Sequence, residues 1–295
     1  MVHSVGSPLL WGGFTVLILV LLALDLFVFH RKPHQVKVRE ALGFSALWIS
    51  LAFAFAGFVW WRFGPQPALE YVTGYLIEKA LSVDNLFVFM VVFSHFAVPP
   101  KQQHRVLFWG ILGALVMRGV FVAGGAALMA RFSWVPYVFG AFLVITGIRL
   151  LIQREEEPDP EKNLALRLVR KVAPNLPKLA VVLVVIEATD IVFAVDSIPA
   201  IFAVTKDPFI VYTSNIFAIL GLRSLYFALA GMMGRFHYIK AGLALVLGFV
   251  GVKMLISGIL HVPVALSLAV IALLIGGSIA ASLLFPPKKA RPLPS

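Results

Sequence analysis

The chain has 295 residues, 60% hydrophobic and 13% charged, with a mean hydropathy of +0.95, whereas a soluble domain carries about 25% charged residues. No soluble core of this size needs so much apolar sequence, so the composition excludes an ordinary globular enzyme and predicts a multispan membrane protein. The formal charge of +11 is no nucleic-acid signal here, because the basic residues gather in loops on one side of a membrane. Cysteine is absent, which excludes a disulfide framework, a thiolate metal site and a cysteine nucleophile.

An apolar run of about 20 residues crosses the hydrocarbon core, with charges, proline and glycine as punctuation. This predicts an all-α integral membrane fold of about nine spans, at 8–29, 41–61, 69–95, 105–130, 134–153, 178–204, 209–233, 237–258 and 264–285. The first span follows no basic leader and is long enough to cross, so it is expected to stay as a span rather than be removed. Residues 153–178 form the one long charged stretch, expected to be an extramembrane loop with a short basic amphipathic helix around Leu164–Val172. Seventeen lysines and arginines fall in the loops after spans 1, 3, 5 and 7 and in the tail, against Arg62, Arg131 and Lys206 on the other side. That asymmetry predicts an outside N-terminus and a cytoplasmic C-terminus.

The chain also matches itself. Glu78-Lys-Ala-Leu-Ser-Val-Asp84-Asn85 pairs with Asp190-Ile-Val-Phe-Ala-Val-Asp196-Ser197, Arg118 with Arg223, Met129-Ala-Arg-Phe132 with Met233-Gly-Arg-Phe236, and Thr146-Gly-Ile-Arg149 with Val250-Gly-Val-Lys253. The offset drifts only from 112 to 104 residues. Spans 3–5 (about 69–153) and 6–8 (about 178–258) are therefore read as one duplicated unit within a single membrane domain, with spans 1, 2 and 9 peripheral. An odd unit length makes the copies antiparallel, the pattern of transporters that bind cargo near the midplane where the repeats meet.

Six acids fall inside predicted spans: Asp25, Glu78, Asp84, Glu187, Asp190 and Asp196. Five bases accompany them: Lys79, Arg118, Arg149, Arg223 and Lys253. An isolated charge at the bilayer centre costs about 2.5–3.5 kcal/mol even on the lenient scale, so eleven unpaired would cost roughly 30 kcal/mol, above the ~5–15 kcal/mol stability of a typical protein. They must be paired, protonated, hydrated or bound to a cation. Glu78 and Asp84 bracket the midplane of span 3, and Glu187 and Asp190 share one face of span 6. Pro199, three residues after Asp196, predicts a break in span 6 that would free carbonyls, and the repeat extends that expectation to span 3. Asp25, near the cytoplasmic end of span 1, is read either as a ligand or as an acid capped near Arg31. Arg118 and Arg223 are expected as counter-ions to the acids, and Lys79, Arg149 and Lys253 as counter-ions or gates.

Carboxylates, Asn85, Ser197, Thr189 and carbonyls make an oxygen-only shell, suited to Mn2+, Ca2+ or Mg2+. All seven histidines lie at span ends or in loops, which disfavours zinc, copper and nickel. Two carboxyls close together at mid-bilayer should not both ionise without a cation, so metal entry would displace a proton and couple the two fluxes.

The stretches Glu78-Lys-Ala-Leu-Ser-Val-Asp84-Asn85-Leu-Phe-Val-Phe89 and Glu187-Ala-Thr-Asp190-Ile-Val-Phe-Ala-Val-Asp196-Ser197-Ile-Pro199-Ala200 resemble the TerC family of bacterial and plastid membrane proteins, over nearly the whole chain from Asp25 to about residue 285. The resemblance implies a divalent-cation exporter, chiefly of Mn2+, in a bacterial inner membrane. It also implies that Asp25, Glu78, Asp84, Glu187, Asp190 and Asp196 hold the metal, and that secretion machinery or an exported metalloprotein is a further partner. No tightly bound cofactor is expected. No Walker A pattern occurs, so the transporter would have no ATPase of its own. The competing readings are a non-transporting partner of secretion or metal-insertion machinery, suggested by the charged loop 153–178, and an intramembrane di-aspartyl enzyme using Asp84 and Asp196.

Overall fold

The computed structural model describes residues 4–25, 38–152, 176–230, 238–260 and 262–285. Within them every regular element is an α-helix: α1 (Pro8–Leu24), α2 (Val38–Phe63), α3 (Pro65–His95), α4 (Pro100–Arg131), α5 (Val135–Ile152), α6 (Lys178–Phe202), α7 (Pro208–Leu220), α8 (Leu222–Ala230), α9 (Ile239–Leu255) and α10 (Val264–Leu284). The chain is an all-α integral membrane protein. Among the described residues five stretches are long and apolar enough to cross a bilayer by themselves: 38–63, 102–131, 135–152, 208–230 and 264–284. Large apolar side chains face outward all around, among them Trp61, Ile152 and Leu273, a surface that only lipid tolerates. The expected amphipathic helix at Leu164–Val172 and the repeated motif Met233–Phe236 lie outside the described residues.

Proline and short polar side chains start the helices. Pro65, Pro100 and Pro208 open α3, α4 and α7, while α6 and α10 begin just after Pro177 and Pro263. A missing N–H costs nothing in a first turn, where that donor has no intrahelical acceptor. Ser7 Oγ caps α1 by accepting from Leu10 N at 3.3 Å. Asp207 caps α7 by accepting from Phe209 N at 2.8 Å and Ile210 N at 3.3 Å, and it also accepts from Ser4 Oγ at 3.1 Å and Val5 N at 2.5 Å. The start of the chain and the α6–α7 connection therefore lie on the same face. Gly64, at φ +91°, supplies the left-handed residue between α2 and α3.

Two expectations fail. α6 runs unbroken through Pro199, and α3 is continuous over its whole length. Pro199 sits in the last turn, so its missing N–H removes one bond where the ladder is about to end, and Ala203 N still donates to Pro199 O at 3.1 Å. The interruption falls instead in the seventh expected span, where Gly221 separates α7 from α8.

α3, α4, α6 and α7 form the centre, with α3 against α7 and α6, and α4 against α6 and α7. Aromatic rings from α1, α2 and α7 fill one core, including Phe55 and Phe217 at 5.0 Å. α5 and α9 pack backbone to backbone: a Cβ at Gly147 would lie 2.7 Å from Ala244 O, and one at Gly251 would lie 2.7 Å from Gly140 O. Small residues permit this approach, which suits helices that lack a hydrophobic drive to associate in lipid.

Candidate functional site

The centre of the bundle holds one guanidinium among four oxygens. Arg118, from the middle of α4, is wholly buried, as are Glu78 of α3 and Asn215 of α7. Its Nη1 donates to Asn215 Oδ1 at 2.6 Å and to Ser197 Oγ at 2.7 Å, and lies 2.8 Å from Glu78 Oε1. Its Nη2 reaches Asp190 Oδ1 at 3.5 Å. Acids predicted on separate spans are thus brought to one cation. An unpaired charge at this depth is costly, so Arg118 is the counter-ion to both.

Two neighbouring hydroxyls are spoken for locally: Ser82 Oγ donates to Glu78 O at 2.6 Å and Thr189 Oγ1 donates to Val185 O at 2.7 Å. Asn85 is buried on α3. Glu187, one turn before Asp190, is half-buried with its carboxylate in a notch on α4. A Cβ at Gly113 would run into that carboxylate, and one at Gly110 would come within 3.8 Å of it. A narrow cavity, with room for a single water-sized occupant, is lined by Gly110, Ile111, Ala114, Ile186, Asp190 and Arg223.

The second arginine has a different acid. Arg223, in the first turn of α8, donates through Nη2 to Asp25 Oδ1 at 2.5 Å, and both are buried. Asp25 therefore stands at Arg223 rather than in the Glu78–Asp190 cluster. Lys79 Nζ donates to Ala218 O at 3.2 Å, at the end of α7 where the Gly221 break leaves carbonyls without helical partners; a cation suits that end of a helix. Arg149 is exposed on α5 beside Ile145, Ile148 and Ile152, and Lys253, half-buried in the last turn of α9, feels the charge of Glu70. Neither enters the central cluster.

Asp84 and Asp196 lie on α3 and α6, but their side chains are outside what the structure describes. Among the described residues no three histidine, aspartate or glutamate side chains converge on one point. Asn215 went unpredicted. Its signal was Thr213-Ser214-Asn215, three consecutive polar residues inside an apolar span.

Residues 63–290 match the Integral membrane protein TerC family. The chain belongs to that family. It is 55% identical over 299 residues to an uncharacterized membrane protein, STKORF319, of Myxococcus xanthus, covering 95% of this chain and 94% of the relative. It is 44% identical over 297 residues to Alx of Salmonella typhi, named as a candidate membrane-bound redox modulator, covering 91% and 92%. An uncharacterized membrane protein of Rickettsia bellii is 41% identical over 278 residues, covering 88% and 92%. No solved structure matches the chain.

Proposed function

We propose that this TerC-family chain is a secondary transporter that carries a divalent cation, Mn2+ before Ca2+ or Mg2+, outward through carboxylates near the midplane, in exchange for protons. The observation that carries this reading is the meeting of Glu78 and Asp190 from α3 and α6 in a fully buried cluster whose other donors, Ser197 and Asn215, are oxygens. Hard divalent cations select such oxygen shells. Asp84 and Asp196, each six residues along the same helices, together with Asn85 and Glu187, would extend the ligand set. The Asp25–Arg223 pair would hold the cytoplasmic side.

The proposed inverted repeat has support in the α5–α9 contact. The two close approaches, Gly147 to Ala244 and Gly251 to Gly140, exchange under the same 104-residue offset that relates Thr146–Arg149 to Val250–Lys253. A two-fold axis in the membrane plane produces such reciprocity. In this reading the N-terminus faces outward, the C-terminus lies in the bacterial cytoplasm, and outward flux would supply exported metalloproteins. The redox role in the Alx name cannot reach this chain as thiol exchange, since it has no cysteine; it would act through the cargo or a partner.

The test is Mn2+ flux in proteoliposomes under two pH gradients. Glu78→Gln or Asp190→Asn should lower flux at least ~10-fold, in line with a lost ligand. Flux that survives both substitutions rejects the carboxylate site, and flux indifferent to the pH gradient rejects proton exchange.

A further inference from the structure

The narrow cavity belongs to both charge centres. Asp190, which meets Arg118, lines it, and so does Arg223, which holds Asp25. Its other walls are largely apolar: Phe89 of α3, Leu107 and Ile111 of α4, Ile186 of α6, Ile219 of α7 and Leu222 of α8. Leu107 and Ile111 stand in the first half of α4, and Phe89 near the end of α3. The cavity therefore lies toward the α3–α4 connection, the cytoplasmic side in the orientation proposed above.

Size and polarity shut it to a metal ion. Its volume of about 20 Å³ holds one water, whereas a dication with six waters needs roughly 180 Å³. A bare dication finds no ligands on apolar walls, and a buried charge without partners is far costlier than a polar group. Yet the acid beyond keeps an oxygen uncommitted: Asp190 is 4% exposed, and among the described residues its Oδ2 has no hydrogen-bond donor. One wall is also built to move. Ile219 and Leu222 straddle the break at Gly221, and Arg223 follows in the first turn of α8. The other apolar walls belong to unbroken helices.

We infer that this cavity is the shut cytoplasmic gate to Asp190, and that the Asp25–Arg223 pair is its latch. When the pair parts, α8 swings about the break at Gly221 and carries Leu222 and Arg223 out of the passage. This rests on the transport reading above and deepens it. The motion that widens the route also takes a positive group off it. Asp25, once released, turns a carboxylate toward an ion arriving from the cytoplasm.

The chain has no cysteine, so Ala114→Cys, on the cavity wall, reports its opening. The full chain in inside-out membrane vesicles is treated with a charged, membrane-impermeant methanethiosulfonate. Its labelling rate is compared with that of Ala126→Cys, buried further along α4. Both should label slowly while the latch is intact. Adding Asp25→Asn/Arg223→Gln should speed labelling at position 114 at least ~10-fold, as the open population grows, and leave position 126 slow. Right-side-out vesicles should show no gain. Unchanged labelling at position 114, an equal rise at both positions, or a gain from the outer side overturns the inference. If the double variant fails to fold, Leu222→Ala, which trims the wall without touching a charge, decides alone by the same comparison. Mn2+ flux of the wild-type chain in proteoliposomes is read beside it. No flux defeats the transport reading and the gate with it; flux with unchanged labelling defeats the gate alone.

Discussion

Arg223 Nη2 donates to Asp25 Oδ1 at 2.5 Å, tying the end of α1 to the first turn of α8 just past the break at Gly221. A basic residue is unfavourable at a helix N-terminus, and a buried carboxylate beside it helps to offset that. Removing one member of a buried ion pair costs about 3–5 kcal/mol, whereas removing both is often close to neutral. Arg223→Gln should therefore lower the thermal unfolding midpoint in detergent sharply, and Asp25→Asn/Arg223→Gln should restore most of it. If the double variant is as unstable as the single one, the pair is not the reason for the loss.

Glu187 owes its position to a missing side chain. Gly113 on α4 leaves the notch that its carboxylate occupies, and any Cβ there collides with it. Gly113→Ala should push the carboxylate out of the notch and reduce Mn2+ flux about 10-fold, the scale expected when a supporting contact of a metal site is lost. Folding should be preserved, since the neighbour that must yield is the end of a flexible side chain. Wild-type flux in this variant would show that Glu187 does not serve the cargo.

The α5–α9 seam makes a paired prediction. Gly147 and Gly251 each face a backbone carbonyl at 2.7 Å from where a Cβ would stand, so alanine forces two main chains apart. Gly147→Ala and Gly251→Ala should each cost about 1–3 kcal/mol, as overpacking does, and by similar amounts. Gly57 and Gly277, in α2 and α10, have open space at the same position; alanine there should be neutral or stabilise by up to about 1 kcal/mol. Thermal unfolding of the four variants checks the contrast.

α3 ends in a strained residue. Val98 N donates to Phe93 O at 2.9 Å and Ala97 N donates to Ser94 O at 2.9 Å, with Ala97 at φ +43° between them. This is the left-handed helix end that glycine favours, and an L side chain there costs about 1–2 kcal/mol. Part of the relief is lost to the greater freedom of glycine when unfolded, so Ala97→Gly should stabilise by about 0.5–1 kcal/mol. A lowered unfolding midpoint would show that the Ala97 methyl contributes packing that outweighs its strain.

Much of this architecture is written in the amino-acid order. Prolines and charges bound the apolar runs, so the helices fall where the expected spans lie, and the depth of Glu78, Asp190 and Arg118 already demanded that they meet something. What could not be read was which groups meet. Asn215 is a neutral amide, flagged only by its place in the polar run Thr213-Ser214-Asn215, which does not say which group it meets. Lys79 finds its acceptor only because α7 stops at Leu220, and Gly221 looks like any other glycine in an apolar run. Pro199 does not break α6 because the effect of a proline depends on its distance from the helix end, here Phe202, which composition alone does not fix. Arg149 and Lys253 match in register, but matching register says nothing about whether a side chain faces the bundle or its surroundings.

The glycine seam has a mechanical consequence. Where two main chains touch, little side-chain bulk stands between them to repack, so α5 and α9 are expected to move as one keel. If the protein alternates between openings and is built on the proposed repeat, its two units would not rock apart as whole blocks. The strokes must be made by α3, α4, α6 and the jointed α7–α8 against that keel, with Gly221 as the joint.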